Sequence, residues 1–143
     1  MITLIYLDAC VIIDLVEGAP EMQRTLRNAI RNRNVVSTEL ARLESRIGAL
    51  RRAQAEYLET YRLFFESCIM QPLDRVVFDL ATDLRVRYGL KTPDAIHLAA
   101  AQVSACAELW TNDRRLAGAT QGRLRIVTWA ELDPASASGT PAP

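Results

Sequence analysis

Short apolar runs alternate along this chain with longer stretches in which apolar residues recur every three or four positions. The first run, residues 2–7 (Ile-Thr-Leu-Ile-Tyr-Leu), stops at Asp8 and reads as a strand buried on both faces. Beyond Pro20, the residues Met22, Leu26, Ala29 and Ile30 mark one face of a helix over 20–33, with proline at its start. Val35-Val36 supplies a second strand. Ser37 or Thr38 can then cap a helix whose apolar positions are Leu40, Leu43 and Ile47. Tyr57, Leu58, Tyr61, Phe64 and Phe65 form a helical stripe of large residues, and 69–71 is a brief strand closed by Pro72.

Asp74 opens a further helix, with Val77, Leu80, Ala81 and Leu84 on one face and Gly89 at its end. Thr92-Pro93-Asp94 combines a capping hydroxyl, a proline in first position and an acid in the first turn. The helix it starts runs through Ala105 and is nearly all small or apolar, so it should be buried. Residues 108–111 and 124–128 complete the strands, with a short Arg-rich helical turn between them. Strands alternating with helices predict an α/β sandwich around a mostly parallel sheet of four to five strands. One domain should cover 1–132, followed over 133–143 by a flexible Pro/Ala/Ser tail.

Composition narrows the class. A chain of 143 residues, 50% hydrophobic and 24% charged, can bury a single core and is too apolar to be disordered. No apolar run approaches the ~18 residues of a membrane span, so no membrane role is expected. The first apolar run lacks a basic flank and meets an acid at once, which suits a strand rather than a signal peptide. Cys10, Cys68 and Cys106 form no C-x-x-C pair and read as reduced core thiols, which points to the cytoplasm. One histidine and no ligand spacing argue against zinc.

The candidate chemistry is acidic. Ligands of parallel sheets gather beyond the carboxyl ends of the strands. Asp8 follows the first strand and Asp113 follows the strand at 109–111. Glu44 lies in the helix after the second strand, and Asp94 opens the buried helix. Each alone also suits a turn, a cap or a surface position; the interest lies in four acids at one predicted edge. Clustered carboxylates repel one another unless a cation neutralises them, and hard oxygen donors suit Mg²⁺ or Mn²⁺. A carboxylate-held cation of this kind can activate water against a phosphodiester.

Four segments resemble the PIN-domain ribonucleases, in particular the VapC-type toxins of toxin–antitoxin pairs. They are Tyr6-Leu7-Asp8-Ala9-Cys10-Val11-Ile12-Ile13-Asp14, Ser37-Thr38-Glu39-Leu40-Ala41-Arg42-Leu43-Glu44, Thr92-Pro93-Asp94-Ala95-Ile96-His97-Leu98-Ala99-Ala100-Ala101 and Thr111-Asn112-Asp113. The resemblance implies a PIN-like three-layer α/β/α sandwich with Asp8, Glu44, Asp94 and Asp113 as catalytic, metal-binding acids. It implies Mg²⁺ (or Mn²⁺) as the cofactor, with neither zinc nor an organic group. It further implies endonucleolytic cleavage of structured RNA (tRNA or rRNA), a VapB-type antitoxin partner, a homodimer and a toxin–antitoxin hetero-oligomer. A catalytically silent RNA-binding or partner-binding module of the same fold is the alternative. A phospho-acceptor receiver is disfavoured because the only lysine, Lys91, is misplaced for it.

Two positions depart from the family pattern. Cys10 stands where Ser or Thr is common, and Arg115 where many relatives carry a further acid, so one well-held metal is expected rather than two. His97 is expected to be a satisfied packing residue rather than a general base, and Asp14 a turn or helix-start acid rather than a fifth ligand. Glu39 is expected to serve a helix start. Thr111 and Asn112 either orient the site or serve ordinary turn chemistry. The Tyr57–Phe65 stripe should be core or dimer interface rather than a base-stacking platform.

Charge adds one asymmetry. The chain balances 17 basic against 17 acidic residues, which excludes a general polyanion coat. Between Arg24 and Arg52, however, eight arginines face only Glu39 and Glu44, an excess of six positive charges. Arg24, Arg27 and Arg31 are candidate RNA contacts on that arm; a solvated helix face explains them equally well.

Overall fold

The computed structural model describes residues 3–133; the tail expected over 133–143 therefore lies, beyond Asp133, outside the described residues. Five strands form one all-parallel sheet: β1 (Leu4–Leu7), β2 (Asn34–Ser37), β3 (Ile69–Met70), β4 (Glu108–Trp110) and β5 (Arg125–Val127), in spatial order β3-β2-β1-β4-β5. Parallel neighbours need crossover connections, and here helices supply them. These are α1 (Ala9–Glu17), α2 (Pro20–Ile30), α3 (Glu39–Arg51), α4 (Ala55–Ser67), α5 (Arg75–Tyr88) and α6 (Thr92–Val103), with a 3₁₀ turn at Arg114–Ala119 and a short α7 (Trp129–Leu132). The architecture is the expected three-layer α/β/α sandwich.

β1 lies at the centre because it can be buried on both faces. Ile5, Tyr6 and Leu7 are all fully buried, and their side chains alternate between the two layers. Tyr6 joins Val36 and Leu109 beneath α5 and α6, where Val77, Leu84, Leu98 and a run of alanines (Ala99, Ala100, Ala101) pack. Ile5 and Leu7 join Trp110 and Val127 beneath α1, α2 and α4, against Ile12, Leu26, Tyr61 and Phe65. Truncating fully buried Leu98 to alanine would cost about 2–5 kcal/mol. The aromatic stripe of α4 thus belongs to the core, with Tyr61 and Phe65 buried and Tyr57, Leu58 and Phe64 partly so.

Several boundaries and faces differ from the sequence pattern. α3 turns Ala41, Ser45 and Ala49 inward, while Leu43, Ile47 and Leu50 are exposed. Small side chains let this helix approach its neighbours closely, so Leu43, Ile47 and Leu50 face out, while Leu40 stays partly buried against the core. Thr92 does not cap α6: Lys91 holds the N-cap position without a side-chain bond, and the Thr92 hydroxyl accepts from the Arg85 guanidinium at 2.9 Å. α6 ends at Val103 because Ala105 adopts a left-handed φ of 58°. α2 ends at Ile30, and Asp14 lies inside α1 rather than in a turn. Asp74 and Gly89 do bound α5, the former accepting from the Val77 N–H and the latter at φ 67°.

Candidate active site

Because the strands are parallel and in register, Leu7, Trp110 and Val127 end at one edge, as do Ser37 and Met70. Asp8 leaves β1 at this edge and caps α1, its Oδ1 accepting the Ala9 N–H at 2.7 Å. Its backbone N–H donates to the Trp110 carbonyl at 2.9 Å, and its Oδ2 accepts the Thr111 hydroxyl at 2.8 Å. Pairing of β1 with β4 therefore fixes the carboxylate from both sides. The Cys10 thiol lies 3.7 Å from the same Oδ2. Burial and the Asp8 charge push that thiol up to about 11, so it remains neutral beside the acid.

Glu44 comes from α3, which starts where Thr38 caps it by accepting the Ala41 N–H at 3.2 Å. Its Oε1 lies 2.5 Å from Nε2 of His97 on α6. The same Nε2 is 3.8 Å from Asp8 Oδ1. One oxygen each of Asp8 and Glu44 and a ring nitrogen of His97 thus all lie within 4.8 Å of one another. The ring is almost wholly enclosed, and its Nδ1 is 2.6 Å from the Tyr6 hydroxyl, itself 2.9 Å from Thr38 Oγ1. His97 is thus the buried, satisfied residue the apolar helix suggests, and it also grips a site acid.

Asp94 and Asp113 lie alongside rather than within that tight set. They share a cavity of about 190 Å³ with Lys91 and Arg115. The Asp94 carboxylate has no hydrogen-bond partner among the described residues; burial, then the charges of Asp113 and Asp8, push it above the ordinary range. Asp113 behaves oppositely. Arg115 grips it in a fork, Nε to Oδ1 at 2.9 Å and Nη2 to Oδ2 at 2.8 Å, and adds its backbone N–H at 2.9 Å. That hydrogen bonding holds Asp113 below the usual carboxylate range. The enclosed Thr111 hydroxyl also accepts the Asp113 N–H at 3.2 Å, so one side chain spans two acids, whereas Asn112 is exposed.

The exposed arginines Arg24, Arg27 and Arg31 belong to the α2 region, which leads into the start of β2, at the opposite end of the strands from Asp8. Part of the surrounding positive charge is engaged internally: Arg33 pairs with Glu108 at 2.5 Å and stacks over Trp110, and Arg52 reaches Glu17 at 3.3 Å. Reasoning from sequence alone missed Tyr6 and Thr38 and the grip of His97 on Glu44. The available signal was a tyrosine two residues before Asp8 and a lone histidine one turn after Asp94.

The family model for the PIN domain matches residues 5–120, most of the chain. The chain belongs to the PIN domain family. Among solved structures it is similar to a toxin–antitoxin complex from Klebsiella pneumoniae, at 25% identity and TM-score 0.69, over 86% of this chain and 95% of that one. It shares its fold with VapBC2 from Rickettsia felis bound to a promoter DNA fragment (11% identity, TM-score 0.70, 89% and 99% covered). FitAcB from Neisseria gonorrhoeae is a third such structure (17%, 0.64, 86% and 96%). No curated protein matches the sequence. PIN domains are generally nucleases that use divalent metals, and the carboxylates of Asp8 and Glu44, grouped here with His97, include oxygen donors suited to such an ion. No described helix is long and apolar enough to cross a membrane.

Proposed function

We propose that this PIN protein is a metal-dependent endoribonuclease acting as the toxin of a toxin–antitoxin pair in the cytoplasm. The convergence of Asp8 and Glu44 at the carboxyl edge, with Asp94 and Asp113 beside them, carries the reading. Asp8 and Glu44 would hold Mg²⁺ or Mn²⁺, with Asp94 and Asp113 completing the set. Such a cation supplies, when bound, an acidified water and charge stabilisation on the phosphoryl group. Thr111 keeps Asp8 aimed, and Asp94, whose carboxyl is raised, is the group poised to orient or accept a proton from the attacking water. Lys91 and Arg115 bring positive charge to the cavity where a phosphate would rest.

The substrate is structured RNA, tRNA or rRNA, with the α2 arginines Arg24, Arg27 and Arg31 as outlying phosphate contacts. Exposed Leu43, Leu50 and Leu63 on α3 and α4, and Val76, Phe78 and Val86 on α5, offer apolar surface for a VapB-type antitoxin and a second toxin copy. Incubation with tRNA and rRNA and mapping of new 5′ ends tests the reading. Cleavage should require Mg²⁺ or Mn²⁺ and vanish in Asp8→Asn and Asp94→Asn. Undiminished cleavage in EDTA refutes it, and growth arrest surviving Asp94→Asn would favour a silent binding module. Charge reversal at the three arginines should weaken RNA binding and flatten its salt dependence.

A further inference from the structure

We propose that His97 is a positioning residue rather than a metal ligand: Nε2–H holds the Glu44 carboxylate, and a one-way hydrogen-bond relay from Thr38 through Tyr6 sets the ring. The proposal rests on the reading of Glu44 as a cation-holding acid. One atom each of Asp8, Glu44 and His97 would also pass for a three-ligand set, and the hydrogen bonds decide between the two roles.

An ionised carboxylate can only accept, so the 2.5 Å contact with Glu44 Oε1 places a hydrogen on Nε2. A nitrogen carrying that hydrogen has no lone pair for a cation. The other ring nitrogen is set from behind. With hydrogen on Nε2 and none on Nδ1, Tyr6 must donate to Nδ1, so its oxygen takes the hydrogen of Thr38 Oγ1 at 2.9 Å, while Thr38 accepts the Ala41 N–H on a lone pair. The Tyr6 hydrogen then goes to Nδ1 at 2.6 Å. Tyr6 is fully buried, and burial raises its phenol well above the ordinary value, so it remains a donor. Each hydroxyl donates once, and the relay has one direction. It begins at the cap of α3 and returns, through β1 and α6, to Glu44 on the same α3. The acid is thereby locked to the helix start that bears it. Partners that orient a ligand in this way are worth about 10–100-fold in metal affinity.

His97 is the only histidine, so one imidazole spin system reports the tautomer without assignment ambiguity. Long-range ¹H–¹⁵N correlation on the metal-free full chain should show hydrogen on Nε2 and a bare Nδ1. A bare Nε2, or hydrogen on Nδ1, overturns the proposal. Calorimetry with Mn²⁺ supplies the second arm. His97→Ala should weaken binding about 10–100-fold, while His97→Gln, whose amide can donate from the Nε2 position, should recover most of it. Tyr6→Phe, which removes only the hydroxyl, should mix the tautomers and weaken Mn²⁺ binding. Unchanged Mn²⁺ affinity in His97→Ala, or equal losses in His97→Ala and His97→Gln, overturns the positioning role. Failure of the unaltered protein to bind Mn²⁺ would count against the nuclease reading, and the tautomer would still decide the relay.

Discussion

Asp8→Asn removes one charge from the carboxyl edge with almost no change of shape, and it should make the metal-free protein more stable. Oxygens of Asp8 and Glu44 lie within 4.8 Å. At that separation two unit charges repel by about 1 kcal/mol at the dielectric of water and about 3.5 kcal/mol at an effective dielectric of ~20. The side chains are 20% and 31% exposed, so the lower half of that range applies. Asparagine can still accept the Ala9 N–H and can donate to Thr111 Oγ1, and it caps a helix about as well as aspartate. Losing the favourable charge at the start of α1 costs about 0.3–1 kcal/mol. A net gain of roughly 1 kcal/mol remains, or about 3 °C in Tm for a chain of this size. Thermal melts in EDTA followed by circular dichroism would show it. Adding Mn²⁺ to about 100 times its Kd should stabilise the unaltered protein by about 2.7 kcal/mol and leave Asp8→Asn nearly unmoved, reversing the order of stability. If Asp8→Asn melts several degrees below the unaltered protein in EDTA, or retains the Mn²⁺ shift, the carboxylate-repulsion argument is wrong.

Three other outcomes follow from the contacts described. Arg115→Gln breaks the fork on Asp113 and frees that carboxylate, so Mn²⁺ stoichiometry measured by calorimetry should rise from one to two; one ion in both proteins refutes the view that Arg115 takes the place of a second cation. The Cys68 thiol is pushed up to about 12 by burial, so at pH 8 it stays protonated, and iodoacetamide should label it in the folded chain far more slowly than in urea. Equal labelling rates on the peptide, read by mass spectrometry, would contradict this. Burial alone would raise Glu108, but hydrogen bonds from Trp110 and Arg125 and the charge of Arg33 hold it below its ordinary value. Its contribution is present at neutral pH and is lost as pH falls through the folded value. Urea midpoints should therefore fall more steeply with acid than in Glu108→Gln, and parallel curves would refute the claim.

Much of the fold is legible because single residues carry both a local and a global signal. Asp8 ends an apolar strand and caps the next helix, so one position announces a boundary and a ligand edge. Asp74 and Gly89 bracket α5 by chemistry that acts within a few residues. The misread positions are those where a distant neighbour decides. Leu43 and Ile47 look like the inward face of α3, but close approach of α3 to α1 and α4 selects Ala41, Ser45 and Ala49 instead. Thr92 has the sequence context of a cap, yet Arg85 claims its hydroxyl. At the site, the acids stand out by type and place, whereas the link from Thr38 to Tyr6 to His97 joins positions 32 and 91 residues apart and leaves no periodic trace.

The placing of β1 between β2 and β4 bears on how the protein is made. Asp8 is synthesised well before its partners: its carboxylate is oriented by Thr111, 103 residues later, and its backbone by the Trp110 carbonyl. While a ribosome is still adding α5 and α6, the growing chain carries the first acid without the strand that aims it. Assembly of the edge therefore waits for β4 to dock beside β1. A polypeptide interrupted before that point would lack the oriented acid, which ties the appearance of the site to near-complete translation of the domain.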